Sequence, residues 1–154
     1  MIKNSGFTII ETLFVLIILT LLVSIVFVSF RKLNDSKILD TSTLLATSIL
    51  DEARSLTLSA KNTSQYGVHL EASKIVLFKG SSYSALATDN VVTTLNTQVA
   101  IRNIGLNGGG VDVIFDRLTG ETSMAGTLEL YLKASTTMSN TITVRSTGVI
   151  EPGL

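Results

Sequence analysis

The sequence predicts an α+β protein. A long amino-terminal helix, transmembrane in its first half and amphipathic in its second, packs on a carboxy-terminal antiparallel β-sheet head. Three observations carry this prediction. The 24 or so residues from Phe7 to Phe30 hold no charge except Glu11. A stretch with apolar spacings of three and four follows them. From Tyr66 onward the period falls to two and β-branched residues dominate.

Composition narrows the function classes. The chain has 154 residues, with 12 Lys and Arg balanced by 12 Asp and Glu, so it lacks the basic surplus that holds a protein to nucleic acid or anionic lipid. Hydrophobic residues make up 45% and charged residues only 16%, with a mean hydropathy of +0.47. That excess in a short chain points to a segment meant for lipid rather than to disorder. Cysteine is absent, which removes disulfides, thiolate metal sites and Cys nucleophiles. The single histidine, His69, removes multi-His metal sites, and no metal or cofactor is expected.

The first element is the apolar run. As a helix it spans about 36 Å, against about 30 Å of hydrocarbon in a bilayer. A cleaved secretory signal would carry a shorter apolar region of about 7–15 residues ending in small residues. Here the run closes on Phe27-Val28-Ser29-Phe30 instead. Glu11 lies about one turn inside. At that depth a carboxylate either exploits the helix dipole and snorkels to the interface, or awaits a cationic partner. Lys3 precedes the run and fits a cytoplasmic amino terminus, while Arg31 and Lys32 follow it on the other side.

The short leader Met1-Ile2-Lys3-Asn4-Ser5-Gly6, then Phe7-Thr8-Ile9-Ile10-Glu11 and the apolar run, resembles the class III signal of type IV prepilins and type II secretion pseudopilins. The resemblance implies cleavage by a prepilin peptidase between Gly6 and Phe7, with Phe7 N-methylated as the new first residue. It implies that Glu11 pairs with the positive amino terminus of a neighbouring subunit during assembly. Glycine suits the cleavage position because it lets a protease approach the backbone closely. Many members of that family carry a Gly and a Pro within the apolar helix. Thr20 and Val28 stand there in this chain, so no proline kink is expected.

The second part of the helix follows from Ile38, Ser42, Leu45, Ile49, Ala53, Leu56 and Ala60, which fall on one face. Asp35, Lys37, Asp40, Asp51 and Arg54 fall off that stripe. No Pro or Gly interrupts residues 7–65, so both halves are expected to form one helix. A slight break is allowed at Asn34-Asp35-Ser36, and Asn62-Thr63-Ser64 ends it. The expected division is a leader at 1–6, a transmembrane part at 7–30, an amphipathic part at 31–62 and a head at 63–154.

In the head, strands are expected at Tyr66–Leu70, Lys74–Lys79, Val91–Leu95, Val99–Ile104, Val111–Asp116, Thr127–Lys133 and Thr141–Arg145, with a short end at Gly148–Glu151. They are expected to form a sheet whose apolar face covers the helix stripe, since an amphipathic helix needs such a partner. Gly120 and Gly148 are expected at turns with positive φ. The order from Val113-Ile114-Phe115 through Gly120, Leu128–Leu132 and Ile142-Thr143-Val144 to Gly148-Val149-Ile150 looks like the final sheet of H-type minor pseudopilins and minor pilins.

Several tempting features carry no chemistry. Gly105-Leu106-Asn107-Gly108-Gly109-Gly110 lacks the Lys-Ser/Thr of a phosphate loop and precedes a strand, so it reads as a hairpin loop. His69 has no Ser or Asp placed by sequence to orient it, and Asp112, Asp116 and Glu121 match no calcium-loop spacing. Asn34-Asp35-Ser36 and Asn62-Thr63-Ser64 match a glycosylation pattern that is too short and frequent to count. No enzyme is expected.

The resemblance implies a structural subunit of a type IV pilus, as a minor pilin. The alternatives are a type II secretion minor pseudopilin or a competence pilin and, from another class, an unprocessed signal-anchored surface adhesin. Its implied partners are the prepilin peptidase, other pilin subunits, an inner-membrane assembly platform and the bilayer, without direct nucleic-acid binding. The implied location is the inner membrane with the head outside the cytoplasm, then a cell-surface filament.

Overall fold

The computed structural model describes residues 7–59 and 64–153. Helix α1 spans Ile9–Leu58, and the chain divides into two compact units between Asp35 and Ser36. The first unit is helix throughout from Ile9. Its large apolar side chains from Ile9 to Phe27 are all exposed. The hydroxyls in this segment bond back to their own helix: Thr12 to the Ile9 carbonyl, Thr20 to Ile17, Ser24 to Thr20 and Ser29 to Ile25. Polar side chains satisfied in this way add little cost to a segment meant for lipid.

The second unit joins the rest of α1 to the strands. These are β1 (Tyr66–Leu70), β2 (Lys74–Lys79), β3 (Val91–Thr94), β4 (Val99–Leu106), β5 (Asp112–Ile114), β6 (Gly126–Leu132), β7 (Ser135–Val144) and β8 (Ile150–Gly153). The α+β expectation holds and each expected strand has a counterpart. β7 begins at Ser135, six residues before the expected Thr141, and β8 covers Ile150–Gly153 and not Gly148–Glu151, because Gly148 turns at positive φ. The sheet is divided, however: one four-stranded antiparallel sheet has the order β3-β2-β1-β5 and a second has β4-β6-β7-β8. Period-two alternation shows which face of a strand is apolar, but not which strand it pairs with. The residue 105–110 segment consequently links two sheets instead of closing a hairpin.

One core lies between α1 and both sheets. Leu39, Ala46, Ile49, Leu50 and Ala53 of the helix meet Val68, Leu70, Ile75 and Val113 of the first sheet. Val99, Leu128, Leu130, Leu132, Ile142 and Val144 come from the second. The buried helix face is turned by about one position from the expected stripe. Thr43, Thr47 and Thr57 are buried, whereas Leu45 is 37% exposed. The threonines tolerate burial because each hydroxyl donates to the carbonyl four residues back. Thr57 Oγ1 also accepts the Tyr66 N–H at 3.0 Å and so ties the helix end to β1.

Two charged residues off the expected stripe bond to the head. Asp40 accepts a hydrogen bond from Asn140 Nδ2 at 3.0 Å. Arg54 Nε donates to the Gly120 carbonyl at 3.2 Å. The helix runs through Asn34-Asp35-Ser36 without loss of helical assignment. Of the expected terminator Asn62-Thr63-Ser64, the first two residues lie outside the described set, as does Ala60.

Arg102, Glu129 and their neighbours tie β4, β6 and β7 together across the outer surface of the second sheet. Arg102 binds Glu129 through both Nε (3.1 Å) and a terminal nitrogen (2.7 Å). It also donates to the Thr136 carbonyl and lies over the Tyr131 ring at 4.4 Å. Asn103 donates to Glu129 at 2.6 Å. The Arg102 hydrogen bonds, joined by Ser139 and Asn103, hold the Glu129 carboxyl well below its ordinary value, at about 2.

Glu129 therefore contributes stability above the carboxylate range of an unfolded chain and loses it as pH falls from about 4.5 to about 2. Urea midpoints measured across that interval are expected to fall, and Glu129→Gln is expected to flatten this part of the profile. Two glycines provide a further test of the packing. Gly148 has φ 77° and Gly109 φ 70°. A Cβ on Gly148 would sit 1.8 Å from the Gly120 carbonyl oxygen, while one on Gly109 meets nothing within 4 Å. Gly109→Ala is expected to cost about 1–2 kcal/mol from backbone strain alone. Gly148→Ala should cost clearly more, by about 2 kcal/mol or above, because strain and clash add. Denaturation of the two variants side by side checks the order.

Candidate functional site

The candidate site begins where α1 begins. Phe7 and Thr8 precede the helix, and Phe7 is 80% exposed. The first turn of a helix leaves backbone N–H groups without partners, which is costly in an apolar medium. Thr8 supplies two acceptors: its Oγ1 takes the Glu11 N–H at 3.3 Å, and its carbonyl takes the Thr12 N–H at 3.2 Å. Thr8-Ile9-Ile10-Glu11 is thus a Thr-x-x-Glu capping pattern with its threonine half formed. That signal was legible in the sequence and identifies Thr8 as a structural participant beside Glu11.

Glu11 sits in the first turn with an exposed side chain. The positive end of the helix dipole favours an anion there. Among the described residues its carboxylate has no ion-pair partner. Gly6 and Lys3, the other expected participants, lie outside the described residues. Beyond Glu11 the helix is long and apolar enough to cross a membrane. An apolar surface of this extent calls for a non-aqueous neighbour.

A second cluster of polar and aromatic side chains lies in the head. His69 on β1 lies directly opposite Asp112 on β5, with Nδ1 2.5 Å from the carboxylate. Its Nε2 is 3.8 Å from Glu71, which in turn pairs with Lys74 at 3.1 Å. Tyr83 stacks on the imidazole with ring centroids 3.8 Å apart and an 11° interplanar angle, and it also leans on Phe78. An aspartate therefore does orient the histidine, against the sequence expectation. The pairing arises from strand register between residues far apart in sequence, which no local pattern reveals.

The three carboxylates weighed as a calcium cluster do not converge. Asp112 turns to His69, while Asp116 accepts from Gln65 at 3.4 Å. Asp116 and Glu121 line a polar cavity of about 310 Å³ with Thr122, Ser123, Ser146 and Thr147. Among the described residues no cluster suited to a metal ion forms.

No protein-family model matches the sequence, and no curated protein sequence matches it either. Solved structures do match in fold. The type IV minor pilin FimU of Pseudomonas aeruginosa aligns with a TM-score of 0.57 at 13% identity, over 74% of this chain and 91% of that one. A second crystal form of FimU gives 0.56 at 11% identity, over 74% and 87%. The minor pseudopilin EpsH, from the Type 2 Secretion System of Vibrio cholerae, gives 0.54 at 13% identity, over 74% and 94%. The helix and the two antiparallel sheets of this chain are thus arranged in the fold found in a type IV minor pilin and a minor pseudopilin.

Proposed function

We propose that this chain is a prepilin-like structural subunit, anchored in the inner membrane with its head outside the cytoplasm and later built into a type IV pilus as a minor pilin. A prepilin peptidase cuts between Gly6 and Phe7, and Phe7 is N-methylated. An inner-membrane platform then assembles the subunit with other pilin subunits. The observation that carries this reading is the joint occurrence of a pilin-type fold and a fully exposed apolar helix with a lone carboxylate in its first turn.

Physical chemistry supports each step. Burying a large apolar side chain gains about 1.5–3 kcal/mol, so more than a dozen of them on one helix require lipid before assembly and helix contacts after it. An amine and a carboxylate are each expensive in such a layer, and pairing them across subunits offsets much of that cost while fixing axial register. Neither role calls for an enzyme or a cofactor. The zero net charge supports a subunit that does not itself bind nucleic acid. The likeness to EpsH supports a second reading as a secretion pseudopilin built by the same chemistry.

Mass spectrometry of the chain from cell envelopes is expected to yield an amino-terminal peptide beginning at methylated Phe7. An intact Met1 or Ile2 would instead establish an unprocessed anchor and overturn the reading. Glu11→Val is expected to leave the chain in the membrane but to lower its recovery in sheared filaments by more than about tenfold, because the neighbouring amine loses its counter-charge. Undiminished recovery would remove Glu11 from the assembly step.

A further inference from the structure

The link between the two sheets contains Asn107-Gly108-Gly109-Gly110, and all four residues are exposed. An asparagine followed by glycine is chemically distinctive. The next backbone nitrogen lies within reach of the side-chain amide, and no Cβ on the following residue shields it. Asn107-Gly108 is the one such pair in the sequence.

Hydrogen bonding leaves the reacting atoms free. The Asn107 N–H donates to the Ala125 carbonyl at 2.8 Å, and the Gly109 N–H donates to the Leu106 carbonyl at 3.0 Å. Between these two tethers the Gly108 N–H meets no acceptor among the described residues, and the Asn107 side chain has no partner there either. The backbone on this side is two glycines in the left-handed region, Gly108 at φ 86° and Gly109 at φ 70°. An added Cβ on Gly108 would come no closer than 3.7 Å to the Met124 sulfur, so the turn has room to bend as a ring closes.

The fold restrains the other described asparagines. Asn34 lies within α1, where the next N–H is committed to the helix. Asn90, Asn103 and Asn140 donate their side-chain amides to the Ser84 carbonyl, to Glu129, and to Asp40 with Thr43. Asn96 accepts the Gln98 N–H at 2.9 Å. Each of these four precedes a β-branched residue (Val91, Ile104, Thr141 or Thr97) that crowds the nitrogen.

We propose that Asn107 is a site of spontaneous modification in the folded head, converted to aspartate and isoaspartate with water as the co-reactant. The Gly108 nitrogen gives its proton to solvent base and attacks Cγ of Asn107. The N–Cγ bond forms, the Cγ–Nδ2 bond breaks, and Nδ2 takes up a proton and leaves as ammonia. Water then adds to either carbonyl of the cyclic imide. Breaking the new N–Cγ bond gives aspartate. Breaking the original peptide bond gives isoaspartate, whose backbone is longer by one methylene. No electrons are gained or lost. Once the new carboxyl ionises, a chain of zero net charge becomes one of −1. The charge arises where β4 of one sheet leads into β5 of the other. The proposal needs only the folded head and is independent of the filament reading.

The test uses the full chain in detergent micelles at mildly alkaline pH, folded and in urea, with its peptides followed by mass spectrometry. In the folded chain Asn107 is expected to convert at least about tenfold faster than any other described asparagine, because Gly108 offers a nitrogen with neither an acceptor nor a shielding Cβ. Urea is expected to change the Asn107 rate by less than about threefold, since this turn is already open to solvent in the folded state. Heavy-oxygen water is expected to label the product. Asn107→Gln, in which ring closure is disfavoured, is expected to fold normally and to lose the acidic band on isoelectric focusing. An unchanged Asn107, or conversion confined to urea, overturns the proposal. So does conversion of the other asparagines at a similar rate in the folded chain, or an acidic band that persists in Asn107→Gln.

Discussion

Everything in this chain is subordinate to one constraint: a helix whose residues from Thr12 to Phe30 carry no charge on any side and cannot remain in water. An ordinary amphipathic helix solves its solvation problem by presenting one stripe to a core. The segment from Ile9 to Phe27 has no polar face to turn outward, so it must be surrounded. The local chemistry is consistent with that demand. Thr12, Thr20, Ser24 and Ser29 return their hydroxyls to backbone carbonyls, and Thr8 accepts an N–H that lipid could not. Glu11 is the exception. In such uniformly apolar surroundings a single carboxylate is costly unless it reaches the interface or meets a cationic partner.

The head meets a different solvent with different devices. Its helix face is lined with alanine and threonine as much as with leucine, and small or self-bonded side chains let the sheets approach closely. Thr57 joins the end of the helix to β1, and Arg54 reaches the Gly120 turn. On the outer surface of the second sheet, the Arg102–Glu129 pair gains from bidentate geometry and from the Tyr131 face beneath the guanidinium. These contacts set register between strands that period-two alternation alone would leave free to slip.

The parts legible in the sequence were those encoded over consecutive residues. The apolar run, the places of most strands, and Gly120 and Gly148 at positive φ (66° and 77°) all follow from local pattern, whereas the polar first half of β7 (Ser135–Asn140) carries none. The buried face of the amphipathic half was read one position off, because a leucine counts as apolar wherever it stands while a threonine counts as polar even when its own helix satisfies it. Leu45, expected on the stripe, is 37% exposed for that reason, while Thr43 is buried. The division into two sheets and the His69–Asp112 contact depend on pairings between distant strands and left no local trace. The capping pattern at Thr8 does leave one, in its spacing of three residues to Glu11.

The contrast between the two units also accounts for a fold that matches at 13% identity where sequence comparison finds nothing. A head of this kind has only to bury one face of a helix between sheets. Many combinations of Val, Ile, Leu, Ala and Thr meet that requirement, provided volume and alternation are kept. Hence identity can drift almost to chance while the arrangement persists. The amino-terminal segment has no such freedom if its residues serve chemistry: a close backbone approach asks for glycine, a buried amine asks for a carboxylate at a fixed distance along the helix, and the cap asks for a short hydroxyl. Under the proposed function, a brief, chemically specific pattern at the start is followed by a long stretch that tolerates many apolar combinations.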